Sequence, residues 1–203
     1  MPTGMPVVVA FKAGHNAENH NQNDVGSFIV HVGGETVLCD PGRGLYSRQY
    51  FSDARYENIF ANSYGHNLPV VADELQAAGR EYAGEVLVFE PDAEPKAIAA
   101  EIGDAYPVES LQRLRRTLSL VSEGGRAGTV TLTDAFEFEG GSGSVQEALV
   151  TWLDVEVDGA TAVIHAADCD VVLAIESPDG AAFDLEVLAE ASEANRKPGI
   201  LKR

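Results

Sequence analysis

The chain has little of what marks a membrane, nucleic-acid-binding or disulfide-stapled protein. No apolar run approaches the roughly 20 residues that a bilayer-spanning helix needs. The opening MPTGMPVVVAFKAG has no basic stretch followed by a long apolar core, so no secretory signal is visible. Basic residues are scarce: 14 Lys and Arg stand against 32 Asp and Glu, a formal net charge of -18. A field of that sign repels nucleic acid and anionic membrane, and it opposes a densely sulfated glycan. The only two cysteines, Cys39 and Cys169, lie far apart in apolar surroundings and read as buried free thiols. The single tryptophan, Trp152, sits in a strand hairpin and reads as core, which counts against a lectin-like sugar platform. Nothing resembles a P-loop, a dinucleotide fingerprint, a GxSxG elbow or a CxxC pair.

What the chain does have is strand. In GTVTLTDAFEFEG, Val130, Leu132, Phe136 and Phe138 alternate with Thr129, Thr131, Thr133 and Glu137, the period of a half-buried antiparallel strand. ALVTWLDVEVDGATAVIHA reads as a hairpin turning at Asp158-Gly159. Further strands are expected at PVVVAF, GSFIVHV, TVLCD, EVLVF and RTLSLV, with turns at SPDG and EGGSGS. LPVVADELQAAG and PKAIAAEIG carry a short helical bias, and ANRKPGILKR reads as a loose tail. Arg113, Arg115 and Arg116 read as solvated charges guarding a sheet edge. These patterns predict an all-β fold, an antiparallel β-sandwich with one or two short helices, over residues 1–203 as one domain.

Against that background one loop stands out. GHNAENHNQNDVGSF, Gly14 to Phe28, gathers two histidines, four asparagines, a glutamine, a glutamate and an aspartate immediately before an apolar strand. A turn needs far fewer polar groups. Three later stretches share its character: CDPGRGLYS with Asp40, YFSDARYENIF with Arg55 and Tyr56, and SYGHNLP with His66. Each residue also has a structural reading. His20 can cap a turn among asparagines, Asp24 before Val25-Gly26 suits an Asx turn, and Asp40 before Pro41-Gly42 is a good turn former.

The order HNQND-x-GSF, D-x-G, R-Y and S-x-HN resembles the β-sandwich domain of the heparinase II/III-like polysaccharide lyases, whose sheets form a supersandwich. The resemblance is specific from Gly14 to Pro69 and continues beyond only as a strand-rich pattern. It implies that His20 faces a substrate cleft as a catalytic group, with Asn21, Arg55 and Tyr56 binding substrate. It implies a zinc ion at positions 22, 40 and 66, where this chain has Gln22, Asp40 and His66. Glutamine departs from the family's histidine, and a neutral amide oxygen is a poor zinc ligand. A hydrogen-bonded Gln22–Asp40–His66 cluster is the alternative.

The family cleaves uronic-acid glycans by β-elimination, so an acidic polysaccharide or oligosaccharide is the expected ligand. Much of the family's catalytic machinery lies on an N-terminal helical toroid, absent from these 203 residues. The resemblance therefore implies a C-terminal fragment, inactive or nearly so alone. A non-catalytic carbohydrate-binding or structural sandwich is the rival reading.

Overall fold

The structure is a computed structural model and describes residues 5–121 and 128–203. The opening residues 1–4, read above for a secretory signal, lie outside the described residues. The chain folds as an all-β sandwich of antiparallel sheets. Among the described residues its strands are β1 (Val7–Phe11), β2 (Gly14–Asn16), β3 (Phe28–Val32), β4 (Glu35–Leu38) and β5 (Val70–Val71). These are followed by β6 (Gly79–Glu90), β7 (Lys96–Glu101), β8 (Leu111–Val121), β9 (Thr129–Phe138) and β10 (Val145–Gln146). The last are β11 (Asp154–Asp158), β12 (Thr161–His165), β13 (Asp170–Ala174), β14 (Val187–Leu188) and β15 (Leu201–Lys202). One α-helical turn, α1 (Ala189–Ser192), and a few 3-10 turns complete the described elements, and no helix is long and apolar enough to cross a membrane.

The largest sheet runs β2-β6-β7-β8-β9, and two three-stranded sheets run β1-β3-β4 and β11-β12-β13. β9 shows the alternation its sequence predicts, and Asp158-Gly159 closes the β11–β12 hairpin with Gly159 at φ +57°. Phe28, Val30 and Val32 of β3 and Val37 and Leu38 of β4 pack with Leu118 of β8 and Ile164 of β12. Burying apolar area at about 25 cal/mol per Å² makes this inter-sheet layer the main source of cohesion. A second cluster, with Val25, Leu68, Ile102, Tyr106 and Leu114, lies directly beneath the polar loop. Both cysteines are free, Cys39 buried and Cys169 partly so.

Several local readings give way to tertiary context. The helical bias of PKAIAAEIG is overridden, because Lys96–Glu101 is an interior strand paired on both sides. Its alanines serve close sheet packing there: Ala99 and Ala100 are buried. LPVVADELQAAG forms the short strand β5 and a turn with Ala72 and Asp73 at positive φ, rather than a helix. The ANRKPGILKR tail is docked: Leu201 is fully buried, β15 pairs with β14, and Asn195 Nδ2 donates to Pro41 O at 3.0 Å.

Arg116 is the largest correction. β8 lies between β7 and β9, and Arg116 points inward with no solvent exposure. Its Nε donates to Asp134 Oδ1 at 2.9 Å, and Nη2 donates to Asp134 Oδ2 at 2.5 Å and Glu147 Oε2 at 3.2 Å. Nη1 donates to Gly26 O at 3.1 Å and Asn67 O at 2.6 Å. Burial disfavours its charge, but the Asp134 carboxylate, first among its acidic neighbours, more than compensates and holds it protonated.

Glu147 bears the cost of this crowding. Burial, with Asp134 beside it and Arg116 opposing, pushes its carboxyl up to about 8. A raised folded-state value means the stabilising contribution is whole below the unfolded value near 4.5 and is lost as pH rises through about 8. Folding stability is therefore expected to fall between those limits. The side chain keeps 40% exposure, so water tempers the slope. Urea midpoints measured across this range should decline for the wild type and lose this component in Glu147→Gln. Identical slopes would rule Glu147 out as the cause.

Candidate functional site

The loop between β2 and β3 spends most of its amides on holding itself in place. Asn16 Nδ2 donates to Gln76 Oε1 at 3.1 Å and Ala77 O at 3.0 Å. Asn23 Nδ2 donates to Gln76 O at 3.1 Å, and its backbone N–H to Ala61 O at 2.8 Å. Gln76 clasps Val25 from both sides, accepting from Val25 N at 3.1 Å and donating to Val25 O at 2.6 Å. Asn16, Asn21, Asn23 and Gln76 are all buried, so each needs such partners. Gly26 closes the loop at φ +89°, where a Cβ would come within 2.6 Å of Ile102 Cδ1. Only glycine fits there.

His20 is the exception within this scaffold. It is exposed and sits at φ 58°, the left-handed region that non-glycine residues seldom occupy. Backbone held in such a conformation by its surroundings is a feature of functional sites. Its ring lies 6.5 Å from that of Tyr46 with an interplanar angle of 17°. Tyr46 is 47% exposed, carries the Arg43 guanidinium 3.7 Å above its ring centre, and meets Phe51, itself 59% exposed, at 4.8 Å. His20, Arg43, Tyr46 and Phe51 thus form one solvent-facing strip. The sequence signal for the last three was slight, a turn followed by scattered aromatics.

The predicted substrate-binding residues lie just behind this strip. Asn21 Nδ2 donates to Asn23 Oδ1 at 2.9 Å and to Tyr56 Oη at 3.3 Å, while its Oδ1 accepts from Glu18 N at 3.2 Å. Arg55 Nη2 donates to Asn21 O at 2.5 Å, and its guanidinium stacks over Tyr50 at 4.6 Å. All three brace the backbone that presents His20. The remaining histidines do other work: His31 contacts Thr36 Oγ1 at 3.1 Å and His165 contacts Asp170 at 2.9 Å.

Beneath the loop, Asp24, Asp40 and His66 come together, with one donor atom of each within 4.8 Å of the others. This donor set differs from the expected one in a single member. Gln22 Nε2 donates to Phe60 O at 2.7 Å, and Asp24 supplies the third donor. Asp24 is buried and ion-paired with Lys12, rather than serving only as a turn former. Asp40 does make its Asx turn, accepting from Gly42 N at 2.7 Å.

His66 is fully buried, and neither ring nitrogen has a hydrogen-bond partner among the described residues. Burial lowers its pKa despite the pull of Asp40 and Asp24, so the imidazole is neutral, the form that binds metal. An orphaned buried imidazole costs about 1–3 kcal/mol per unmet group, which an ion or water would relieve. Two carboxylates and a neutral imidazole are suitable ligands for a divalent metal. The residues present therefore fit a metal, with Asp24 in place of Gln22.

Known proteins match this chain through structure. No protein-family model matches it, and no curated protein matches it by sequence. Heparinase III, the BT4657 gene product with methylated lysines, superposes with a TM-score of 0.71 at 16% identity, over 100% of this chain and 32% of its own. A second structure of heparinase III, the BT4657 gene product, gives 0.69 at 14% identity, over 98% and 32%. A mutant of the heparan sulfate lyase HepC from Pedobacter heparinus gives 0.69 at 15%, over 91% and 29%. At these identities the likeness establishes a shared fold. The chain spans about a third of the length of those proteins.

Proposed function

We propose that this chain is the β-sandwich portion of a polysaccharide lyase that cleaves uronic-acid glycans by β-elimination, with His20 as its acid–base group. One observation carries the reading: an exposed histidine, held in a left-handed conformation, faces an aromatic and cationic strip and rests on a loop braced by buried amide hydrogen bonds. Its support is the fold shared with heparinase III and HepC.

β-Elimination needs the uronate carboxylate neutralised, a base to remove the C5 proton and an acid to protonate the departing O4. An imidazole can fill either proton-transfer role. Arg43 offers a cation beside the Tyr46 and Phe51 faces, against which a sugar ring can lie. The second wall of the cleft, with a tyrosine and a uronate-neutralising group, belongs in this reading to a helical toroid domain. The chain alone is then expected to turn over little or no glycan. Its strong negative charge favours a sparsely sulfated polyuronate over heparin.

Zinc is the metal this reading assigns to Asp24, Asp40 and His66. It would supply the positive charge that locks two carboxylates and an imidazole together. Residues 20–24 are contiguous, so fixing Asp24 fixes the base of the segment that presents His20. The exposed Tyr46 and Phe51 also favour a second reading, a binding module without catalysis. The two separate on product chemistry. Joined to a helical toroid domain, the chain should generate C4–C5 unsaturated ends from a uronic-acid glycan, seen as rising ultraviolet absorbance. Glycan binding without unsaturated product would leave only the module.

A further inference from the structure

We propose that Lys12 is the resident cation of the Asp24–Asp40–His66 cluster, and that a divalent ion enters only by displacing its ammonium. The proposal rests on the reading of this cluster as a cation centre. Lys12 is not a loosely placed surface lysine. It directly follows β1, and its backbone is bonded on both sides to the turn that carries Asp24: Lys12 N donates to Ser27 O at 2.9 Å, and Gly26 N donates to Lys12 O at 2.8 Å. The Lys12 Nζ then donates to Asp24 Oδ1, while the side chain keeps 34% exposure. Backbone pairing thus delivers an ammonium to the buried carboxylate from the solvent side.

Charge explains why this matters. Asp24 and Asp40 bring two carboxylates to a largely enclosed place, beside the unpartnered His66 imidazole. An ammonium held on one of them offsets part of the negative charge they can carry, so the chain can fold with no metal bound. It also occupies Oδ1, one of the two oxygens that Asp24 can offer a metal. A divalent ion entering with Lys12 in place would meet a like charge across a few ångströms in a poorly screened site. The two unpartnered nitrogens of His66 remain as the donors that Lys12 leaves unused. With glutamine at position 22 the chain has fewer strong metal ligands, and with Lys12 it has an internal substitute for part of the metal's charge.

The test is metal affinity, measured by equilibrium dialysis with zinc or manganese on the wild type, Lys12→Met and Lys12→Arg. Methionine keeps the stem and removes the charge; arginine keeps the charge. Lys12→Met is expected to bind one ion at least about tenfold tighter than the wild type, and Lys12→Arg no tighter. Zinc should also raise the melting temperature of Lys12→Met more than that of the wild type, a compensation that purely structural damage would not produce. Adding Asp24→Asn to Lys12→Met should abolish the gain. Equal binding by wild type and Lys12→Met would overturn the role of Lys12 and leave the metal reading standing. Equally tight binding by Lys12→Arg and Lys12→Met would also overturn it. Absence of binding in all three would remove both.

Discussion

Arg116→Met is expected to destabilise the fold by about 3–5 kcal/mol, the loss typical when one partner of a buried ion pair is removed. Four acceptors depend on this guanidinium: the Asp134 and Glu147 carboxylates and the Gly26 and Asn67 carbonyls. Methionine fills much of the volume but leaves Asp134 facing Glu147 without a cation. The two carbonyls tie the effect to the site. Gly26 lies two residues after Asp24, and Asn67 follows His66, so one side chain clamps both strands of the cluster from behind. Asn67 extends the clamp, with Nδ2 donating to Phe28 O at 2.7 Å and Cys39 O at 3.0 Å. Lys12 and Arg116 thus hold the same turn, each bonded to Gly26. A urea titration reads the effect directly. Arg116→Lys should fall between, because a single ammonium cannot serve a fork of acceptors. A midpoint for Arg116→Met within about 1 kcal/mol of the wild type would show the network to be dispensable.

The second large effect concerns turnover. In a lyase-competent form of the protein, His20→Asn is expected to lower kcat by about 100-fold, and by no less than tenfold, the scale of a positioned acid–base group. Asparagine is the chosen replacement because it tolerates the left-handed conformation of position 20 and cannot move the proton. His20 is exposed, so thermal stability should barely change. Asn23→Ala makes the contrast: it removes the bond to Gln76 O from a buried site, and should lower stability and activity together. If His20→Asn retained more than a third of wild-type turnover, the imidazole would have no part in proton transfer.

The sandwich was legible because its signals are local. The alternation in Thr129–Phe138 and the Asp158-Gly159 turn state their structure within a few residues. Lys96–Glu101 misled because alanine suits a helix alone, yet also suits the close approach of neighbouring strands. Arg116 was misread for a related reason. Sequence shows that it faces away from Arg113 and Arg115, but not that its face is the inner one. At the site, the pairing of Asp40 with His66 followed from the family resemblance, and the structure brings them together. Asp24 was hidden by a good alternative, since Asp-Val-Gly reads as a turn. Lys12 and Gln76 lie 12 and 52 residues from Asp24, and nothing local links them to it. Tyr46 and Phe51 were likewise passed over, because exposure is a property of the folded surface.

One experiment separates substrate contact from structural support: a nuclear magnetic resonance titration of the chain, labelled with ¹⁵N at histidine, with an unsulfated uronic-acid oligosaccharide. The His20 ring signals should move with saturation, while those of buried His66 and of His165, engaged with Asp170 on the β11-β12-β13 sheet, stay in place. A saturable shift at His66 or His165 with His20 unmoved, or no shift at any ring, would contradict the assignment of His20 to the substrate face.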